Sequence, residues 1–250
     1  MSQPKVALVT GSGKRRVGWH IARALAVRGY ALAVHYHTSA AEAAETVAAL
    51  RAAGPDADSF QADLTDEAAV RALVDRVLER FGRLDVLVNC AAVWQRKRLE
   101  EVTAADVRWF FEVNTLSTFL CSQHAGLAMV RQPAGGNIIL LGDWAIERPY
   151  LDYAAYFASK GAIPTLTRCL AVELGTRNPA VRVNAILPGP VLLPPDLPTA
   201  ERDEAIRGTL VQREGRPENV AQAVLFFLDN DFVTGVCLPV DGGRTVYAPG

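Results

Sequence analysis

Short apolar runs rich in Val, Ile and Leu recur along this chain between longer Ala-rich amphipathic stretches, and few folds accommodate that alternation. It is the pattern of repeated strand-helix-strand units, in which helical crossovers force the strands to lie parallel. Strands are expected at Val6–Thr10, Ala31–Tyr36, Asp58–Ala62, Val86–Asn89, Asn137–Leu141, Arg182–Leu187 and Val236–Val240. Their continuous apolar character fits a sheet covered on both faces. Helices are expected at Gly18–Arg28, Ala40–Ala53, Asp66–Phe81, Ala105–Val130, Tyr153–Leu174, Ala200–Thr209 and Pro217–Leu228, with Thr65 as the N-cap of the third. The five prolines and one glycine between Pro188 and Pro198 read as a loop placed to serve as a lid. The fold class expected is α/β, with a doubly wound, parallel seven-stranded sheet and helices on both faces.

At 250 residues, 50% hydrophobic and 21% charged, the chain can bury a full core, and no repeat or linker divides residues 1–250 into more than a single domain. A net charge of -1 leaves no basic surplus, so neither nucleic acid nor an anionic membrane is expected as partner. A small molecule is. Cys90, Cys121, Cys169 and Cys237 show no metal-binding spacing and read as reduced, mostly buried thiols; no metal is expected. Met1-Ser2-Gln3-Pro4-Lys5 leads into only a short apolar run, and no stretch approaches the roughly 18 apolar residues of a membrane span. A soluble, cytoplasmic protein is the expectation.

After the first strand comes Thr10-Gly11-Ser12-Gly13-Lys14-Arg15-Arg16-Val17-Gly18, opening into a helix. Glycines at such a turn let backbone N–H groups approach a pyrophosphate, which the helix N-terminus stabilises. Gly11 and Gly13 fit the first pair of a Gly-x-Gly-x-x-Gly turn, but Gly18 comes late. An acid at the end of the second strand would hold the ribose 2'-hydroxyl of NAD. Here the run is His35-Tyr36-His37-Thr38-Ser39, and with Arg15 or Arg16 alongside it suits a 2'-phosphate, which needs donors and positive charge. NADPH is therefore expected over NADH. Asp63, beside Leu64, can accept from the adenine amino group or serve as a loop acid or helix cap.

Tyr156 and Lys160 are spaced i, i+4 and so share a helix face, where an ammonium favours ionisation of a phenol. The expectation is a phenol lowered from its usual pKa of about 10 and serving as proton donor. Asp143 stands thirteen residues before that tyrosine.

Thr10-Gly11, Asn89-Cys90-Ala91, Asn114, Tyr156-x-x-x-Lys160, Pro188-Gly189 and Asp241-Gly242-Gly243 together resemble the short-chain dehydrogenase/reductase family, in order and over the whole chain. The resemblance implies a single Rossmann domain, Tyr156 as acid, Lys160 lowering its pKa and holding the nicotinamide ribose, and Asn114 positioning Lys160 through a water. It also implies Asn89 and Ala91 flanking the adenosine ribose, backbone near Pro188, Gly189, Val191 and Leu192 meeting the carboxamide, and a homotetramer with Asp241 to Gly250 at an interface. Most family members carry Ser where this chain has Asp143. A carboxylate cannot donate to a carbonyl unless protonated, so Asp143 argues for a substrate rich in N–H groups.

That change, the Lys-Arg-Arg-Val-Gly loop and the His35 to Glu42 run are similar to the pteridine reductases. The similarity implies Trp94 sandwiching a pterin against the nicotinamide, Asp143 binding the pterin amino edge or orienting Tyr156, and Arg16 on the pterin side or at a cofactor phosphate, with an extra loop residue leaving Arg15 as the alternative. The expected reaction is NADPH-dependent reduction of a dihydropterin. The alternatives are a generic carbonyl reductase acting on a 3-oxoacyl thioester, sugar or ketone, and a non-catalytic NADPH sensor.

Overall fold

Alternate residues of the first strand, β1 (Val6–Val9), feed two separate cores: Val6 and Leu8 enter one, Ala7 and Val9 the other. In the computed structural model, which describes residues 3–248, this two-sided burial repeats along a seven-stranded parallel sheet of order β3-β2-β1-β4-β5-β6-β7. The other strands are β2 (Ala31–Tyr36), β3 (Ala57–Gln61), β4 (Val86–Asn89), β5 (Gly136–Leu141), β6 (Val181–Pro188) and β7 (Cys237–Val240). Helices α1 (Val17–Val27), α2 (Ala40–Ala52) and α9 (Pro217–Asp229) cover one face through Ile21, Leu25, Leu50, Val224 and Phe227. Helices α3 (Glu67–Phe81), α5 (Ser117–Val130) and α7 (Ile163–Gly175) cover the other through Leu73, Val77, Met129 and Leu174. The order of strand connections reverses between β1 and β4, and the crevice at their carboxyl ends is where such a Rossmann sheet receives ligands.

Two long expected helices are divided. Residues 105–130 form α4 (Ala104–Phe110), a π-helical turn (Phe111–Leu116) and α5. Residues 153–174 form α6 (Ala154–Gly161) and α7, parted at Ala162 because Pro164 has no N–H with which to continue the ladder. The N-cap of α3 is Asp66, which accepts from the Ala68 amide at 2.8 Å; Thr65 instead donates its hydroxyl to Asp63. Helix α8 (Thr199–Arg207) follows the proline-rich loop.

Among the described residues no helix is long and apolar enough to cross a membrane. Cys121 is buried, Cys90 and Cys237 are half-buried, and Cys169 is exposed. The expected interface segment from Asp241 ends at Pro249 and Gly250, which lie outside the described residues, as do Met1 and Ser2 of the start.

Candidate active site

The loop between β1 and α1 is shaped by close backbone approaches. Gly11 has φ +64°, and a Cβ there would stand 3.0 Å from the Ala91 Cα; one at Gly13 would meet Tyr36 and Ala43 at 3.1 and 3.2 Å. Gly18 lies in the first turn of α1, where an added Cβ would press on the Gly11 carbonyl at 3.1 Å. It gives the close helix–strand packing that the third glycine of such loops supplies, and the extra residues Lys14, Arg15 and Arg16 are exposed. A tight glycine cradle opening onto the N-terminus of α1, with Val17 at its head, fits a dinucleotide pyrophosphate.

His35 is not part of the phosphate donor set that the sequence suggested. It is buried, its Nδ1 accepts from the Gly11 amide at 3.0 Å, and its Nε2 bonds the Ala62 carbonyl at 3.1 Å. Both ring nitrogens are spent on holding the loop. That pattern requires a neutral ring, and burial pushes its pKa down to about 4. A group buried neutral contributes stability above its unfolded pKa near 6.5 and loses it as pH falls toward 4. Asn in its place can still accept from the Gly11 amide at the Nδ1 position and does not titrate. Urea unfolding at pH 7 and 4.5 should therefore show wild type losing about 2 kcal/mol more than His35→Asn on acidification. An equal loss in both proteins would remove His35 from this role.

The remaining residues at the end of β2 are available at the surface. Tyr36 and Ser39 are half-buried, and His37 and Thr38 are exposed. His37 faces Asp63 at 3.9 Å, and Lys14 pairs with Glu42 at 3.6 Å. The two Asp63 oxygens do different work: Oδ1 accepts from the Thr65 amide and hydroxyl, which hold the acid below its usual range, while Oδ2 faces His37. Leu64 is buried beneath it. Arg15 lies 5.3 Å from the Trp19 ring centroid, against α1, whereas Arg16 has no side-chain partner among the described residues. Asn89 donates one amide N–H to Ser122 Oγ at 3.0 Å, which fixes the orientation of its side chain at the end of β4. The Cys90 and Ala91 amides are fixed by Thr10 Oγ1 at 2.9 and 3.0 Å.

Asp143, Tyr156 and Lys160 come together where β5 ends and α6 passes over it. Tyr156 donates its hydroxyl to Asp143 Oδ2 at 2.7 Å, while Asp143 Oδ1 caps the Ala145 amide at 2.9 Å. Lys160 donates to the Leu141 carbonyl at 2.8 Å, a tertiary contact that draws Nζ toward the strand end. Asn114 sits in the π turn, fully buried, joined to the Val93 amide and carbonyl and to Ser159 Oγ. Ser159 in turn donates to the Tyr156 carbonyl at 2.6 Å. Asn114 thus orders the helix turn that carries Tyr156 and Lys160, and makes no direct bond to Lys160.

The expected lowering of the phenol is corrected by this geometry. Burial, then the Asp143 carboxylate, raise the Tyr156 pKa. Burial raises Asp143 as well, against the opposing bond from Tyr156, and lowers Lys160 to about 8. Asp143 and Tyr156 form a coupled pair that retains a proton at neutral pH. Burial also pushes the neighbouring Cys90 thiol up to about 12, so it stays neutral.

The wall around this pair is aromatic. Phe110 meets Tyr156 edge-on at 6.2 Å, and Tyr150 contacts Trp144, Tyr153 and Phe157. Trp94 stacks on Tyr153 at 4.9 Å and 15°, leaving the indole 43% exposed with one face covered. On the opposite side Pro188 and Gly189 close against Asp241, where a Cβ on Gly189 would stand 2.5 Å from the Asp241 Cα. Val191 bridges to Gly215, and Leu192 holds φ +53°, a conformation branched side chains rarely adopt. Sequence reasoning quoted Thr10 in the family motif without giving it a role, and missed Ser159, Tyr150 and Tyr153; of these three only Ser159, adjoining Lys160 in the motif, carried a signal.

Comparison with known proteins agrees with this arrangement. The family model described as enoyl-(acyl carrier protein) reductase matches residues 12–245. The short-chain reductase protein NovJ of Streptomyces niveus is 40% identical, over 98% of this chain and 95% of its own. Pteridine reductase 1 of Leishmania tarentolae is 32% identical over 96% of each chain, the same identity as glucose 1-dehydrogenase 2 of Bacillus subtilis, so identity alone does not rank substrates. The solved short-chain dehydrogenase/reductase of Serratia marcescens superimposes with a TM-score of 0.90 at 34% identity, covering 98% of this chain and 99% of that one. Cradle, trio and matched relatives converge: this chain is an oxidoreductase of the short-chain dehydrogenase/reductase family.

Proposed function

We propose that the protein is an NADPH-dependent reductase of a flat, N–H-rich heterocycle of the pterin type. The observation that carries this reading is the carboxylate of Asp143, bonded at 2.7 Å to the tyrosine that would deliver the proton. A serine there would donate to a ketone oxygen; a carboxylate accepts N–H groups and, when protonated, shares its proton with Tyr156. The half-exposed Trp94 supplies an open ring face on which such a heterocycle can stack. A nicotinamide cofactor held in the glycine cradle supplies hydride.

The chain's own residues do the rest. Asp143 orients the substrate and Tyr156 together, and Tyr156 delivers the proton to the ring nitrogen. The Lys160 ammonium, turned toward the β5 end, stabilises charge developing on the phenol and would hold the nicotinamide ribose of a bound cofactor. Asn114 and Ser159 hold the helix turn that sets the Tyr156 position. Preference for NADPH rests on Arg16, Lys14, His37, Thr38 and Ser39 around a strand end free of acid. A homotetrameric, cytoplasmic enzyme completes the reading.

Turnover of dihydrobiopterin, dihydrofolate and an acetoacetyl thioester is compared with NADPH and with NADH. Dihydropterin reduction is expected, with kcat/KM at least about tenfold higher for NADPH, the discrimination that one or two charged hydrogen bonds give. Turnover of the thioester alone ends the pterin reading. Tight NADPH binding with no turnover leaves the sensor.

A further inference from the structure

Helix α8 is tied through Arg96 to the segment that carries Trp94, yet none of its residues is buried. A helix that hides no apolar face gains little from packing, so polar ties must hold it. Near its start, Arg96, two residues beyond Trp94, reaches Glu201 at 3.7 Å and Asp152 at 2.7 Å, and Arg202 bonds Glu214 at 2.6 Å. Its far end depends on Arg244. That guanidinium donates to the Ala205 carbonyl at 2.6 Å and the Glu204 carbonyl at 3.2 Å, the latter shared with the Gly208 amide, in the last turn, where positive charge is favoured.

The same guanidinium lies 4.8 Å from the ring centroid of Trp144, the residue after Asp143, and its side chain is only 13% exposed. Its main chain is anchored from the catalytic side as well, because Arg148 donates to the carbonyls of Arg244 and Tyr247. Asp241 closes the turn by accepting from Gly243 and Thr245. Gly208, at the end of α8, makes the room: a Cβ there would stand 1.7 Å from Arg244 Nη1. Two unrelated features, a buried cation and a missing side chain, therefore serve one contact.

We propose that Arg244 is a positioning residue, a clasp that fixes α8 to the Asp143–Trp144 wall and so sets the substrate mouth. It touches no reacting atom and acts through Trp144 and α8. The inference rests on the place of Asp143 and Tyr156 in the site, and holds whichever substrate is reduced.

Arg244→Ala removes the clasp directly, and Gly208→Ala displaces it with the charge retained; the backbone at Gly208, φ -70° and ψ -5°, accepts alanine without strain. Amide exchange over residues 199–207 and steady-state reduction of dihydrobiopterin by NADPH are measured for both and for the double variant. Each single variant should raise exchange there about tenfold or more, because the helix opens locally. Each should raise KM for dihydrobiopterin about tenfold, with kcat within about threefold and NADPH affinity unchanged, and the double variant should match the singles because both break one contact. Wild-type exchange in either single variant, a fall in kcat at constant KM, or additive effects would overturn the clasp. Should Arg244→Ala not fold, Gly208→Ala decides alone. If wild type does not reduce dihydrobiopterin, the pterin reading fails, and the exchange measurement still decides the clasp.

Discussion

Replacing Tyr156 by Phe should lower kcat by about 10²–10⁴-fold, the usual contribution of a positioned general acid, while NADPH still binds. The phenyl ring keeps the contacts with Phe110, Tyr153 and Phe157, so the aromatic wall survives. What goes is the hydroxyl donating to Asp143 Oδ2, which leaves that carboxylate with the Ala145 amide alone and raises its pKa further. Single-turnover reduction and fluorescence titration with NADPH separate the two effects, and unchanged turnover would refute the assigned acid. In the wild type, kcat/KM reports groups of the free enzyme. Asp143 and Tyr156, both raised, keep their shared proton through neutrality, whereas Lys160 loses its charge near 8. The value of kcat/KM should accordingly decline above about pH 8.

Asp143→Ser is expected to exchange one substrate class for another. Pterin reduction should fall by about 10²-fold, the effect of leaving buried N–H groups without their charged acceptor at about 1.5–3 kcal/mol each. Small ketones should become substrates, since a serine hydroxyl can donate to the carbonyl that the carboxylate repels. Removing the carboxylate also removes one of the influences that raise Tyr156, so the phenol should ionise at lower pH than in wild type. A substrate profile identical to wild type would reduce Asp143 to the cap of the Ala145 amide.

The parallel sheet was legible because its strands are apolar on both faces, and β2 and β4 begin and end where composition placed them. The divided helices were less so. Pro164 was a visible stop that a continuous apolar periodicity obscured, while the π turn leaves no mark in composition. Tyr156 and Lys160 were readable from spacing, since both sit on α6, but the Leu141 carbonyl that receives Nζ belongs to another element and no spacing reveals it. His35 illustrates the converse error. A polar letter at a strand end resembles a ligand contact, and only the fold shows that its side chain turns inward, to Gly11 and Ala62.

The π turn at 111–116 bears on how such a site can arise and be lost. A π turn is in effect one residue inserted into an α-helix and absorbed within a single wide turn, so that the helix on either side keeps its faces. Deleting a single codon within it would let α4 run directly into α5 with the flanking packing kept, yet would swing Asn114 away from Ser159 and Val93. The folded scaffold and the ordered proton donor are thus separable by one indel, a small genetic step between a reductase and a nucleotide-binding protein of the same shape.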